Sequence, residues 1–255
     1  MSAPRPYLLA ETTWKSVRDG GFAVAVLPWG ATEAHNFHLP YGTDCIEVAY
    51  LATESARLAW EHGTRVVVLP TIPFGVNTGQ LDIPLCLNMN PSTQAALFRD
   101  LIESVERAGI RRLVLLNGHG GNDFRAMIRE LVPQSSVLLC TVNWYTLSDP
   151  QRHFDDPGDH AGELETSAML AIAPELVLPL SEAGPGKARR FRVSGLRNGT
   201  AWTPRRWSQL TDDTGVGDPR PATADKGARY LAAVVRELAD FLVEVAQADP
   251  DQLYE

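Results

Sequence analysis

The stretch Phe22-Ala23-Val24-Ala25-Val26-Leu27, closed by Pro28 and Gly30, leads directly into Thr32-Glu33-Ala34-His35-Asn36-Phe37-His38-Leu39-Pro40-Tyr41-Gly42-Thr43-Asp44. The first part is an apolar run of strand length. The second places Glu33, His35, His38 and Asp44 in the loop that follows it. Carboxylates and imidazoles are the side chains that hold hard or borderline divalent ions. In an open α/β sheet, ligand sites lie beyond the carboxyl ends of the strands. A strand that ends in such a loop marks both the sheet and the place to look for chemistry.

Outward from this unit the chain alternates. From Cys45 to Trp60, the positions Ile46, Ala49, Tyr50, Ala52, Ala56 and Leu58 fit a helix packed on one face. Asp44 falls at or just before its start, where a carboxylate can cap free N–H groups and complement the helix dipole. Arg65 to Pro70 is a β-branched run of the kind buried on both faces of a parallel sheet. Residues 71–90 are rich in Pro, Gly and Asn without periodicity, and loops of that length usually serve function or a partner. Pro91 opens a helix that runs to about Ala108 and ends at Gly109. Arg112–Asn117 reads as a third strand, Asp123 to Leu131 as a helix, and Ser136–Thr141 as a fourth strand. This alternation predicts an α/β fold: a three-layer α/β/α sandwich with a mainly parallel central sheet and right-handed crossovers.

The flanking regions are read more coarsely. A short helix is expected around Thr13–Asp19. Trp144 to Asp159 is irregular, and His160 to Ser167 leads into an apolar helix through Ala171, stopped before Pro174. Residues 181–220 form an excursion that covers the site or contacts a neighbouring subunit, with Trp202 and Trp207 expected at its surface. A last helix, about Thr223 to Ala248, carries Leu231, Val234, Val235, Leu238, Phe241 and Leu242 at helical spacing.

At 255 residues with no evident linker, the chain is expected to be one domain over 1–255. A net charge of -8 argues against nucleic acid or an acidic membrane surface as partner. No signal pattern is visible, and no apolar run approaches the roughly 20 residues of a membrane span. Cys45, Cys86 and Cys140 are scattered without a C-x-x-C pair. They read as small buried hydrophobes in a reducing compartment, which places the protein in the cytoplasm.

Three polar clusters follow separate elements: Glu33/His35/His38/Asp44, His119/Asn122 and His160/Glu163/Glu165. Gly120-Gly121 beside His119 lets backbone approach a ligand closely. The motifs Thr32–Asp44, Gly118-His119-Gly120-Gly121-Asn122 and His160-Ala161-Gly162-Glu163-Leu164-Glu165-Thr166-Ser167 resemble those of the creatininase family of amidohydrolases. That family reads roughly T-E-x-H-G-P-H-L-P-x-G-T-D, G-H-G-G-N and H-A-G-x-x-E-T-S. A weaker fourth match is Gly215–Pro219 with Ala222–Gly227.

The resemblance implies a two-metal site for zinc, manganese or iron. Glu33 and His119 would bind one ion, His35 the other, and Asp44 would bridge them. Creatinine-cleaving members add a Glu where this chain has Gly121, so Glu165, or failing it Glu163, would complete the second ion's shell. His160 would be the general acid/base, with Glu165 beside it in the catalytic set. Gly120, Gly121, Asn122 and Trp144 are the candidates for substrate contact, although Asn122 could instead cap a helix and Trp144 could belong to the core. His38 reads as a loop-packing residue that orients ligands rather than as a ligand.

The chemistry would be hydrolysis of a non-peptide or cyclic amide C–N bond in a small molecule. Paired ions can share a hydroxide and polarise the carbonyl. A formamide or a lactone would use the same residues, and a binding protein that lost catalysis is the reading from another class. Asn36-Phe37 in place of the family's Gly-Pro, and the bulk of Trp29 before the motif, imply a substrate other than creatinine. The family resemblance further implies a homo-oligomer, a hexamer.

Overall fold

The computed structural model describes residues 4–255. Its elements in chain order are α1 (Trp14–Asp19), β1 (Val24–Trp29), α2 (Thr43–Glu61), β2 (Val66–Val68), α3 (Pro91–Arg107), β3 (Arg112–Asn117), α4 (Arg125–Leu131), β4 (Leu138–Asn143), α5 (Glu163–Ile172), α6 (Ser194–Arg197), α7 (Trp207–Leu210) and α8 (Ala224–Gln247). The strands form one sheet in the order β2-β1-β3-β4, and every neighbouring pair is parallel.

Alternation along the strands divides the core in two. Val24, Val26, Val114 and Leu116 face the layer of α2, α5 and α8, where Leu51, Leu164, Tyr230 and Leu238 are buried. Ala25, Leu27, Leu113 and Leu115 face α3 and α4, meeting Phe98, Ile102, Met127 and Leu131. Both faces are covered, which is why these strands read as unbroken apolar runs. The result is the α/β/α sandwich expected.

The topology also fixes where the site lies. The helix after β1 packs on one face of the sheet, and the helix after β3 packs on the other. These strands are neighbours. Their outgoing connections part, and a crevice opens at their carboxyl ends.

Several expectations shift. β1 continues through Pro28 to Trp29 rather than ending at Leu27. The Pro28 carbonyl accepts from Ile72 N at 3.0 Å on the β2 side. The N–H that proline lacks would point the same way, beyond the end of β2, so no ladder bond is lost. Trp29 is fully buried against Phe98 and Phe124, with ring centroids 6.4 and 5.0 Å away, so its bulk fills the core rather than the metal loop. β4 starts at Leu138, later than Ser136, because the Glu106 carboxylate takes the Ser136 N–H and hydroxyl at 2.7 and 2.6 Å. Among the described residues no single helix is long and apolar enough to cross a membrane.

Candidate metal centre

The loop after β1 folds back on itself. Glu33 N donates to Tyr41 O at 3.1 Å and Leu39 N to His35 O at 3.3 Å, so Glu33 and His35 are held inward beside Asp44 in the first turn of α2. Asn36 makes the turn with φ 53°, a left-handed conformation that Asn tolerates and that suits the Gly of the family motif. Its side chain receives Gly184 N at 2.8 Å and donates to Gly184 O at 3.1 Å, tying the loop to the 181–220 excursion. His119 enters from the loop after β3. Glu165 lies in the first turn of α5 and His160 in the loop just before it, held by reciprocal backbone bonds with Val216 at 3.1 and 2.8 Å, so the fourth motif supports the third.

These side chains converge. Asp44 Oδ1 lies 2.9 Å from His35 Nε2, and Asp44 Oδ2 lies 3.0 Å from His119 Nδ1. Glu33 Oε1 is 2.9 Å from His119 Nδ1, 3.8 Å from His160 Nδ1 and 4.0 Å from His35 Nε2. Ligand atoms of Glu33, Asp44 and His119 fall within 4.8 Å of one another, as do those of His35, Asp44 and Glu165. Asp44 belongs to both sets. Glu33, His35 and His160 form a third such set.

Each histidine spends its outer nitrogen on a backbone carbonyl. His35 Nδ1 meets Glu33 O at 3.1 Å, His119 Nε2 meets Val76 O at 3.1 Å, and His160 Nε2 meets Ala34 O at 2.8 Å. An N–H given to a carbonyl leaves the other nitrogen bare and aimed inward, as metal-binding imidazoles require. His35 Nε2 and Asp44 Oδ2, both fully buried, have no partner outside the cluster and face only its other members, at 2.9 and 3.0 Å. Buried polar atoms normally have partners. The donor set therefore fits divalent metal.

The charges make the same point. Burial works against a charged His35, but Asp44, Glu165 and Glu33 together outweigh it and hold the ring charged up to about 10. Burial likewise opposes charge on His119, and Glu33 and Asp44 raise it well above its ordinary value. Burial alone would push Asp44 up, yet His35 and His119 hold it below the carboxylate range. Glu33 is lowered too, because His119 and His160 outweigh its burial. On Glu165 burial prevails over His35 and His160, and its pKa rises. Without metal, the carboxylates are balanced by protons on imidazoles, a role that dications would take over.

The other nominated residues separate. Glu163 is drawn away: it pairs with Lys226 of α8 and receives Asp156 N at 3.4 Å, outside the converging sets. His38 Nε2 meets Thr166 Oγ1 at 2.8 Å, and burial with the nearby His35 lowers its pKa to about 4. Asn122 ties loops together, with Oδ1 accepting from Val76 N and Gln94 Nε2 at 3.0 and 2.8 Å and Nδ2 donating to Asn117 Oδ1 at 3.0 Å. Asp44 makes no cap, since Gly42 is the N-cap residue. A Cβ on Gly121 would lie 2.4 Å from both His119 Nε2 and Val76 O, so this backbone leaves no room for the Glu of the creatinine-cleaving members.

A cavity of about 650 Å³ opens over the cluster. Gly120 and Gly121 line it, Trp144 borders it from the core, 1% exposed and packed on Tyr230, and Trp202, Arg205 and Trp207 of the excursion complete the wall. Trp202 is 85% exposed at the mouth, but Trp207 is buried, with its ring edge-on to His160 at 4.6 Å and Arg205 stacked above it at 4.7 Å. The expectation that Trp207 is a surface residue is therefore corrected: it forms the wall behind His160. Gln80, which no sequence pattern singled out, donates to Glu33 Oε2. Only its place in the aperiodic 71–90 segment hinted at a role.

Comparison with known proteins points the same way. The creatininase family model, described as creatinine amidohydrolase, matches residues 10–242. The mycofactocin precursor peptide peptidase of Mycolicibacterium smegmatis is 28% identical over 232 residues, covering 85% of this chain and 83% of that protein. A Bacteroides fragilis structure, provisionally named a creatinine amidohydrolase, has a TM-score of 0.93 at 42% identity, covering 99% of this chain and 100% of that one. A creatininase solved with manganese shares the fold, with a TM-score of 0.78 at 24% identity over 94% of this chain and 98% of that one.

Proposed function

The chain belongs to the creatininase family, and from that premise we propose that it hydrolyses a non-peptide or cyclic amide C–N bond with two divalent ions. The observation that carries this reading is the placement of Asp44, one oxygen toward His35 and the other toward His119. Glu33, Asp44 and His119 would hold one ion, and His35, Asp44 and Glu165 the other. Zinc, manganese and iron all accept such mixed sets. When bound, the pair supplies an activated water and charge to polarise the scissile carbonyl.

The chain's own groups do the rest. With its Nε2–H given to Ala34, His160 presents Nδ1 to the cluster, 3.8 Å from Glu33 Oε1. Nδ1 accepts a proton from the attacking water and returns it to the departing nitrogen. Trp207 packs against the ring and keeps it aimed. Gly120 and Gly121 leave backbone open to the substrate, and Trp144 forms an apolar wall. The cavity volume is in the range of a drug-sized ligand, so the amide has room for a substituent beyond a small ring.

A peptide amide is the second reading, favoured by the likeness to the mycofactocin precursor peptide peptidase. Elemental analysis of gently purified protein, followed by a screen of cyclic amides, formamides, lactones and short peptides, tests both. Turnover of small amides alone supports the first reading. Cleavage of peptides alone replaces it with the second, and a protein without metal or turnover overturns both.

A further inference from the structure

Glu33 is held on its outer side by a closed ring of hydrogen bonds. Gln80 Nε2 donates to Glu33 Oε2. Cys86 Sγ donates to Gln80 Oε1 at 3.1 Å and accepts from Ala34 N at 3.2 Å. The circuit therefore runs Glu33, Gln80, Cys86, Ala34 and back along the chain to Glu33. Gln80 is 2% exposed and Cys86 9%.

Chemistry fixes the direction of every bond. A carboxylate only accepts, so the amide must turn its NH2 to Glu33 and its oxygen to the thiol. A backbone N–H only donates, so the sulfur accepts from Ala34 and gives its own hydrogen to Gln80. Burial raises the Cys86 thiol, and the S–H stays in place to donate. Within the same segment, Gln80 N is bonded to Asn77 O at 2.9 Å and Cys86 N to Ile83 O at 3.3 Å, so the clamp is braced from behind.

We propose that Gln80 is a positioning residue that holds Glu33 to the cluster through Oε1 alone, and that Cys86 keeps the Gln80 amide turned to do so. This rests on the metal reading above. With Oε2 committed, Oε1 is the atom left 2.9 Å from His119 Nδ1, and Glu33 is set up as a one-oxygen ligand. The clamp also joins the ligand to the cavity wall. Asn77, Thr78, Gly79 and Gln80 line the cavity, and a Cβ on Gly79 would lie 2.0 Å from Arg205 O, so the 202–207 wall rests directly on this turn.

The test is stepwise titration of purified protein with Mn2+ or Zn2+ against a competing chelator, with a His119→Ala variant marking the Glu33 ion. Gln80→Leu keeps the size and removes the donor. It should weaken the Glu33 ion about 10–100-fold, the usual cost of losing a group that orients a ligand, and leave the other ion nearly unchanged. Cys86→Val should act in the same direction, and its effect should vanish in the Gln80→Leu background because both work through one chain. Cys86→Ser, which keeps a donor, should stay near wild type. If Gln80→Leu does not fold, the contrast between Cys86→Val and Cys86→Ser carries the test. Unchanged affinities in Gln80→Leu and Cys86→Val, equal loss at both ions, or fully additive effects would overturn the clamp while the metal reading stands. Wild-type protein that takes up no divalent ion overturns both.

Discussion

Glu47 follows Asp44 by one turn on the same face of α2, and neither of its buried carboxyl oxygens has a hydrogen-bond partner. Burial raises its pKa well above the ordinary value, and the facing Glu165 and Asp44 raise it further. A raised folded-state pKa means that stability is fully present below the unfolded value, near ~4.3, and is lost as pH climbs toward the folded one. Glu47→Leu should therefore stabilise the metal-free protein more at pH 8 than at pH 5, on top of a pH-independent gain of about 1–3 kcal/mol from removing an unsatisfied buried polar group. Thermal unfolding at the two pH values checks this, and a pH-independent difference contradicts it.

Metal uptake should release protons. His35 is held charged up to about 10, and the neighbouring carboxylates raise His119 well above its ordinary value, so in the metal-free protein both rings keep their protons to higher pH than a free imidazole. Ligating imidazoles must be neutral, so filling the sites should release protons, and affinity should fall as pH falls. Calorimetric titration in buffers of different ionisation enthalpy measures the release. Heats independent of buffer would refute it.

His160→Ala should keep both ions and lose roughly 10²–10⁴-fold in turnover, the usual worth of general acid–base catalysis. Loss of an ion instead would make His160 a ligand, which its reach toward Glu33 and His35 permits geometrically.

Assembly is the fourth expectation. Trp14, Phe37, Leu85 and Trp202 are 77%, 59%, 78% and 85% exposed, large apolar groups of the kind that subunit contacts cover. Light scattering at micromolar concentration should show a homo-oligomer, with a hexamer proposed from the family, and a 27.9 kDa monomer would contradict it.

The fold was legible wherever one physical rule governed a segment. β3 falls at Arg112–Asn117 as read, because an unbroken apolar run bounded by Gly is unambiguous. α3 begins at Pro91 as expected, and Gly109 takes φ 77° just beyond its end. Misreadings came where a distant group intervened. Glu106 captured Ser136 and delayed β4. Trp207 looked like a surface residue because nothing local shows that it packs on His160. Gln80 was invisible for the same reason, since its partner lies 47 residues away. The motif residues were legible because their chemistry is local to the loops that carry them.

The central claim is that Asp44 joins two metal ions, and metal content per chain in Asp44→Asn tests it most directly. The amide keeps the shape of the carboxylate and removes its charge. The account predicts folded protein with both ions depleted and no turnover. An Asp44→Asn protein that retains two ions per chain would contradict it.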